Sequence, residues 1–144
     1  YSRSINSYDP EETLPALDDL VDDGVIDRIG LSNFEPDQLD EAIDRLDHDV
    51  FAHQVECHPL LQQERLREYA VEDGHWLVAY SPIARNRVAD VDALREVAAA
   101  QDATPAQVSL AWLLSKERVA PIPKAADHGH AEENWAAREI DLTD

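Results

Sequence analysis

The stretch Ile29-Gly30-Leu31-Ser32-Asn33 is a short apolar run that ends in two polar side chains, and a helical pattern follows it from Pro36. Three later stretches repeat this order; they are Phe51-Ala52-His53-Gln54-Val55-Glu56, Leu77-Val78-Ala79-Tyr80-Ser81 and Val119-Ala120-Pro121-Ile122-Pro123-Lys124. Parallel α/β sheets place functional residues at the carboxyl ends of their strands. The repeat therefore predicts a parallel α/β fold and a set of candidate site residues at one edge of its sheet.

Sequence patterns typical of helix ends lie between these apolar runs. Asp9-Pro10-Glu11-Glu12 joins an N-cap, a proline at the first helical position and an acidic first turn, and Gly24 ends the helix that follows. Thr104-Pro105 starts a later helix in the same way. The predicted strands are 26–31, 50–55, 76–80 and 119–122, a loop covers 83–89, and the later helices run at about 62–72, 90–101 and 129–137.

The predicted order is one helix followed by four strand–helix units. Their length is close to the ~31 residues per unit of an eight-unit barrel. Four strands make half of such a barrel, or else a small open sheet. We expect residues 1–8 to be an irregular N-terminal segment and residues 9–144 to form one packed half-barrel.

The charge balance is strongly acidic. The 144 residues include 31 acidic and 12 basic side chains, a net charge of −19. Repulsion of this kind opposes a compact fold in dilute salt and is screened in concentrated salt. This predicts a salt-adapted, halophilic protein, with generic acidic solubility as the alternative, and it argues against nucleic-acid binding.

Cysteine usage and hydropathy indicate the setting of the chain. Cys57 is the only cysteine, which rules out an internal disulfide and favours the cytoplasm. No apolar run reaches the ~20 residues of a membrane span, and no signal peptide is visible. The sequence contains no methionine, so we expect that it does not begin where translation began, unless the initiator was removed.

Several of the polar strand ends suit a ligand. Asn33 beside Ser32 can donate to and accept from a carboxamide, although a helix cap or turn residue is the alternative. Tyr80 can present its ring to an aromatic ligand, or be a core or rim tyrosine. Lys124 at a strand exit favours a phosphate that the next helix would help to hold, or is a solvated lysine; Asp127 nearby would weaken anion binding.

The second strand end carries the densest polar group. Strand alternation puts Gln54, Glu56 and His58 on one face, and His53 and Cys57 on the other. Two zinc-type ligands on one face are too few for a metal site. The pattern favours a buried Gln54–Glu56 network in a barrel interior.

Taken together, these segments resemble the aldo-keto reductase family. The matching stretches are Asp9 to Leu17, Gly24 to Phe34, Gln54 to Pro59, Ala79 to Pro82, Pro121 to Lys124 and Glu132 to Asn134. The resemblance implies the second half of a (β/α)₈ TIM barrel that binds NADP, with NAD possible, at its C-terminal face. It also implies an oxidoreductase that reduces small carbonyl compounds to alcohols.

The resemblance implies a role for eight residues. Ser32, Asn33 and Gln54 match the positions that hydrogen-bond the nicotinamide carboxamide, and Tyr80 matches the tyrosine that stacks on the ring. The remaining matches are Ser81 to the pyrophosphate contact, Lys124 to the lysine at the 2′-phosphate, and Glu133 and Asn134 to the positions near adenine. Three positions depart from the family: Ala125 replaces a serine, His130 an arginine and His53 an asparagine.

The family's catalytic residues lie in the other half of the barrel, and nothing before Asp9 matches them. Carbonyl reduction needs an acid for the developing alkoxide, and no residue of this chain is assigned that role. We therefore expect no catalytic residues and no activity from this chain alone. The alternative is a non-catalytic half-barrel that binds dinucleotide or self-associates through its free strand edges.

Overall fold

The structure is a computed structural model that describes residues 8–142. The predicted irregular segment falls, apart from Tyr8, outside the described residues. The elements in chain order are α1 (Pro10–Asp22), β1 (Ile29–Ser32), α2 (Pro36–Arg45), β2 (Val50–Glu56), α3 (Glu64–Glu72), β3 (Trp76–Tyr80), α4 (Asp92–Ala100), α5 (Pro105–Leu114), β4 (Val119–Pro121) and α6 (His128–Ala136). Short 3₁₀ segments cover Ala84–Asp90 and Ala137–Glu139.

The four strands form one parallel sheet in the order β1-β2-β3-β4. In its register Ser32 lies beside Gln54, Gln54 beside Val78, and Glu56 beside Tyr80. Because the strands are parallel, all of their carboxyl ends meet at one edge of the sheet. The predicted α/β class with four parallel strands and flanking helices is confirmed.

The two faces of the sheet differ in burial. Side chains on the helix-covered face are buried, and His53, Leu77 and Ala79 are completely so. They pack in a core with helix residues, of which Leu14, Leu39 and Leu113 are also fully buried. The opposite face is more open, and Trp76 at the start of β3 is 41% exposed. The core therefore lies between sheet and helices, which leaves the other face open in the described structure.

The predicted start of the first strand, at residue 26, is wrong by three residues. Gly24 adopts φ +68°, and the backbone N–H groups of Val25 and Ile26 both donate to the Leu20 carbonyl, at 2.9 and 3.2 Å. These bonds cap the C-terminus of α1, so residues 25 and 26 belong to the helix end and cannot pair with β2. The apolar pattern alone did not separate a helix cap from a strand.

A buried carboxylate ties α1 to the connection before β2. Asp18 accepts hydrogen bonds from the backbone N–H of Asp47 at 3.0 Å and of His48 at 3.2 Å, and its Oδ1 lies 3.0 Å from His48 Nδ1. Burial raises the pKa of the Asp18 carboxyl, but the hydrogen bonds from Asp47 and His48 outweigh burial and bring that pKa below its ordinary value. The hydrogen bond to Asp18 in turn raises the pKa of His48.

None of the helices within residues 8–142 combines the length and apolar character that a bilayer crossing requires.

Candidate functional site

A hydrogen-bonded chain of side chains joins three strands at the carboxyl edge of the sheet. The Tyr80 hydroxyl donates to Asn33 Oδ1 at 2.9 Å, and Asn33 Nδ2 donates to Ser32 Oγ at 3.1 Å. Ser32 Oγ donates to the Gln54 carbonyl oxygen at 3.1 Å. The structure thus brings together four of the predicted site residues, and we call Ser32, Asn33, Gln54 and Tyr80 the strand-end network.

Asn33 occupies an unusual backbone conformation directly after β1. Its φ is 58°, in the left-handed region that asparagine tolerates better than most residues. Its backbone N–H donates to the Gln54 carbonyl at 2.9 Å, which fastens the turn to β2. The N-cap of α2 is Glu35, so Asn33 is a turn residue rather than the helix cap. The turn points its side chain towards Tyr80.

The neighbouring Glu56 does not form the predicted network with Gln54. Its Oε1 lies 3.4 Å from Nε2 of His58, and its backbone oxygen accepts from Gln63 Nε2 at 2.9 Å. His58 comes just after the end of β2 and is buried, so it approaches Glu56 from the turn. Gln54 belongs to the strand-end network through its backbone carbonyl oxygen.

Cys57 faces the core as strand alternation predicts. It is fully buried, its Sγ lies 3.6 Å from the Gln62 carbonyl oxygen, and burial raises its pKa to about 11. Its thiol is therefore protonated at neutral pH. Within residues 8–142, no three or more His, Cys, Asp or Glu side chains are grouped so that they could hold a metal ion.

Ser81 continues directly from Tyr80 into the turn after β3. Its φ is 48°, and its carbonyl oxygen accepts from the Ala84 N–H at 2.7 Å. The next carbonyl, that of Pro82, accepts from the fully buried Ser109 Oγ of α5 at 2.6 Å. The predicted loop at 83–89 contains a 3₁₀ segment with a kink at Arg85 and Asn86. Ser81 thus lies at the same edge as Tyr80.

Lys124 lies on the connection between β4 and α6, exposed. The N-terminus of α6 beyond it is occupied by its own cap: Asp127 Oδ1 accepts from the His130 N–H at 2.9 Å, and Oδ2 lies 2.9 Å from His130 Nδ1. The backbone hydrogen bond from His130 lowers the pKa of Asp127, so the carboxylate is charged. This negative charge opposes the phosphate that the sequence placed here.

Glu133 and Asn134 lie on α6, away from the strand-end network. The Glu133 carbonyl oxygen accepts from Gln107 Nε2 of α5 at 3.1 Å. Asn134 lines a cavity of about 380 Å³ with Pro121, Trp135 and other side chains of α5 and α6. The structure therefore divides the eight predicted residues into a group at the ends of β1–β3 and a group on β4–α6.

The sequence profile of the Aldo/keto reductase family matches residues 3–144. The chain belongs to this family. It is 36% identical over 133 residues to glyoxal reductase from Bacillus subtilis (strain 168), covering 92% of this chain and 48% of that protein. It is 32% identical over 136 residues to the 9,11-endoperoxide prostaglandin H2 reductase of Trypanosoma cruzi (strain CL Brener), again covering 92% and 48%.

Solved structures of aldo/keto reductases share the fold. The thermostable aldo-keto reductase Tm1743 with the inhibitor epalrestat has a TM-score of 0.87 and 39% identity, covering 94% of this chain and 52% of that one. A mutant of Gox0644 in complex with NADPH has a TM-score of 0.84 and 30% identity, covering 92% and 48%. The chain spans about half the length of the curated relatives it matches.

Sequence reasoning missed one residue that supports the site. The backbone N–H of Phe34, directly after Asn33, donates to Nε2 of His53 at 3.1 Å. Strand alternation placed His53 on the face opposite Gln54, and the only sequence signal was that a histidine stands where the family often has asparagine. The fold brings it to the turn because Leu31 and His53 are partners in the β1–β2 register.

Proposed function

We propose that this chain is the dinucleotide-binding half of an NAD(P)H-dependent aldo/keto reductase that reduces small carbonyl compounds to alcohols. The observation that carries the proposal is the strand-end network. Asn33 spends one amide N–H on Ser32 and one lone pair of Oδ1 on Tyr80. The second N–H and the second lone pair remain, and they match the two hydrogen-bonding groups of a nicotinamide carboxamide. The ring of Tyr80, hydrogen-bonded to the same asparagine, would stack on the nicotinamide.

The rest of the dinucleotide would run from this edge towards α6. Ser81 follows Tyr80 and would meet the pyrophosphate, Lys124 the 2′-phosphate, and Glu133 with Asn134 the adenine. NADP is the proposed cofactor because a relative of the same fold is bound to NADPH. The charged Asp127, which His130 holds near the position proposed for the 2′-phosphate, should reduce the preference for NADP over NAD.

The test is a titration of the chain with NADPH and, separately, with NADH, in which tryptophan fluorescence reports binding at one fixed KCl concentration. Asn33→Gly removes the carboxamide side chain and keeps a residue that accepts the left-handed backbone, so it isolates the side-chain contacts. We expect the dissociation constant for NADPH to rise about thirtyfold, the effect of two lost hydrogen bonds of about 1 kcal/mol each. Asp102→Gly, at an exposed position with φ 50° between α4 and α5, is the matched control and should change nothing. Equal affinity of the Asn33→Gly variant would contradict the proposed role.

The proposal includes no catalysis by this chain alone. Reduction of a carbonyl requires a proton donor at the developing alkoxide and electrostatic support in the same place. The Tyr80 hydroxyl donates to Asn33, and stacking is its proposed role. Purified chain with NADPH and a simple aldehyde should show no turnover above a buffer blank, and turnover that survives a second purification would refute this.

A second candidate function is a half-barrel that binds dinucleotide or a second copy without catalysis. The observation that favours it is that the edge strands β1 and β4 each pair with only one strand within residues 8–142, which leaves their outer edges unpaired. The open sheet face carries the half-exposed Trp76. Unpaired edges favour association. Analytical ultracentrifugation should show a dimer if the chain binds a second copy. A monomer at all concentrations that also binds no dinucleotide would reject this candidate.

Salt adaptation is the remaining part of the proposal. The net charge of −19 raises the free energy of the compact state in dilute salt, and screening removes that cost. The melting temperature should rise between 0.1 and 2 M KCl by more than it rises in sucrose of matched osmolality. If KCl and sucrose raise the melting temperature equally, charge screening does not stabilise the fold. The cytoplasmic setting stays a prediction.

A further inference from the structure

The turn that carries Asn33 is fastened to β2 at two successive amides. Asn33 N–H donates to the Gln54 carbonyl at 2.9 Å, and Phe34 N–H donates to Nε2 of His53 at 3.1 Å. The first bond is main chain to main chain and would survive most substitutions. The second depends on one side chain. Asn33 has φ 58°, a left-handed conformation that asparagine tolerates better than most residues but still less readily than glycine, so hydrogen bonds from outside the turn help to hold it.

His53 is suited to act as a permanent acceptor. It is fully buried, and burial together with the neighbouring His75 lowers the pKa of His53 to about 4, so the ring is neutral at physiological pH. Since Nε2 accepts the Phe34 amide, the ring proton lies on Nδ1, and Nδ1 is buried with no hydrogen-bond partner among the described residues. A buried donor without a partner lowers stability, so the Nδ1 side of the ring contributes nothing to the core. The hydrogen bond that the ring does make is the one to the turn.

Ring contacts hold the same two residues in place. The rings of Phe34 and His53 meet edge to face with centroids 6.4 Å apart, and Tyr8 meets Phe34 on its other side at 5.1 Å. His53 in turn contacts His75 at 6.4 Å. The line of four rings restricts the His53 imidazole, which keeps Nε2 aimed at the Phe34 amide.

We propose that His53 is a positioning residue for the cofactor site: by accepting the Phe34 amide it holds Asn33 in its left-handed turn and so aims the Asn33 carboxamide at the nicotinamide. The cofactor part of this inference rests on the proposed function, in which Asn33 binds the nicotinamide carboxamide. His53 itself does not touch the cofactor. Its effect reaches the ligand only through the backbone of Asn33 and Phe34.

The hydrogen bond can be measured in the unaltered chain. In uniformly ¹⁵N-labelled protein, an N–H···N bond transmits a scalar coupling between the two nitrogens, so a cross-peak should join the Phe34 amide nitrogen to His53 Nε2. The same spectra report the tautomer, and the proton is expected on Nδ1. Absence of the coupling, with the Phe34 amide well resolved, would overturn the proposal without any variant.

Variants then separate positioning from a general loss of stability. His53→Leu removes the acceptor, and His53→Gln offers an oxygen at a similar distance from the backbone. Leu113→Val is the control for a general loss of packing, because Leu113 is equally buried, lies on α5 and makes no hydrogen bond to the turn. We expect His53→Leu to speed Phe34 amide exchange and to raise the dissociation constant for NADPH about tenfold, as for one lost hydrogen bond. His53→Gln should restore both, and Leu113→Val should leave both within about twofold of the unaltered chain.

The outcomes distinguish this inference from the proposed function. If the unaltered chain binds no NADPH, the proposed function fails, while the Asn33 and Phe34 signals of the variants still decide whether His53 holds the turn. If His53→Leu and Leu113→Val weaken NADPH binding equally, or if the backbone chemical shifts of Asn33 are unchanged in His53→Leu, His53 has no positioning role. If His53→Leu does not fold, the comparison of His53→Gln with the unaltered chain and the nitrogen–nitrogen coupling decide.

Discussion

Replacing Asp18 by asparagine tests how α1 is joined to the sheet. Asp18 belongs to α1 and is 7% exposed, and it accepts hydrogen bonds from residues 29 and 30 positions later in the chain. The asparagine side chain has nearly the same volume as the aspartate it replaces, so no cavity forms. It carries one acceptor oxygen instead of two and would turn an NH₂ group towards an N–H donor.

The magnitude follows from the three hydrogen bonds. In the Asp18→Asn variant one oxygen can still accept from His48 at 3.2 Å, whereas the Asp47 N–H, now 3.0 Å from an oxygen, would face a donor. A hydrogen bond to a charged group contributes about 1.5–3 kcal/mol, and an unpaired buried donor costs about 1–3 kcal/mol. The two effects overlap, and the His48 side chain is 34% exposed, so solvent screens part of the charge. We expect the free energy of unfolding to fall by about 2–3 kcal/mol.

The effect should depend on pH in a defined direction. The pKa of Asp18 is lower in the folded state, so its contribution is present above its ordinary value of 3.8 and is lost as the pH falls through the folded pKa. The pKa of His48 is raised, so its contribution is present below 6.5 and is lost as the pH rises through the folded pKa. The difference between unaltered chain and variant should therefore be largest between pH 3.8 and 6.5.

The assay is urea unfolding followed by tryptophan fluorescence at pH 5.5 and constant KCl, because urea leaves the ionic strength unchanged. Asp22→Asn is the matched control: its side chain is 73% exposed and its Oδ1 lies 3.4 Å from His48 Nε2, so the same charge is removed at the surface. The control should stay within about 0.5 kcal/mol of the unaltered chain. If Asp18→Asn costs no more than Asp22→Asn, the buried carboxylate does not fasten α1 and the reasoning is refuted.

Three further predictions concern residues outside the strand-end network. Cys57 should resist a thiol reagent until the urea transition, because its thiol is buried with a pKa of about 11; labelling at the rate of a free cysteine in native buffer would contradict this. Ser109→Ala should lower the unfolding free energy by about 1–3 kcal/mol, since it leaves the Pro82 carbonyl buried and unpaired, whereas Ser115→Ala at an exposed helix end should have a much smaller effect in the same urea assay. Thr104→Ala should cost about 1 kcal/mol by removing the N-cap of α5, and Thr104→Ser should restore it; equal urea midpoints for the two variants would exclude the cap.

The carboxyl-edge site was largely predictable because a parallel sheet leaves little freedom there. Once Ile29-Gly30-Leu31 and Leu77-Val78-Ala79 were recognised as parallel strands, the residues after them had to meet at one edge. Asn33 and Tyr80, 47 residues apart, are joined by a 2.9 Å hydrogen bond. The predicted helices are present too, and both predicted proline-linked N-caps, Asp9 and Thr104, accept from their own helices.

Other features could not be predicted because they depend on which donor meets which acceptor. The pairing of Glu56 with His58 instead of Gln54 depends on the turn after β2, and the apolar pattern around Val25 did not reveal that its N–H caps α1. The sequence raised Asp127 as a negative charge near Lys124. Only the structure shows that this carboxylate accepts a hydrogen bond from the first turn of α6, where a phosphate was predicted to bind.

By itself, the sequence determined the order of the elements, the parallel sheet, the strand-end residues and the acidic surface, because these follow from local periodicity, caps and composition. The tertiary structure decided the left-handed turn at Asn33, the acceptor role of His53 and the hydrogen bond that joins Asp18 of α1 to the connection before β2. Each of these depends on hydrogen bonds between groups 19 or more residues apart. Their partners are set by strand register and helix docking, and no local pattern encodes those directly.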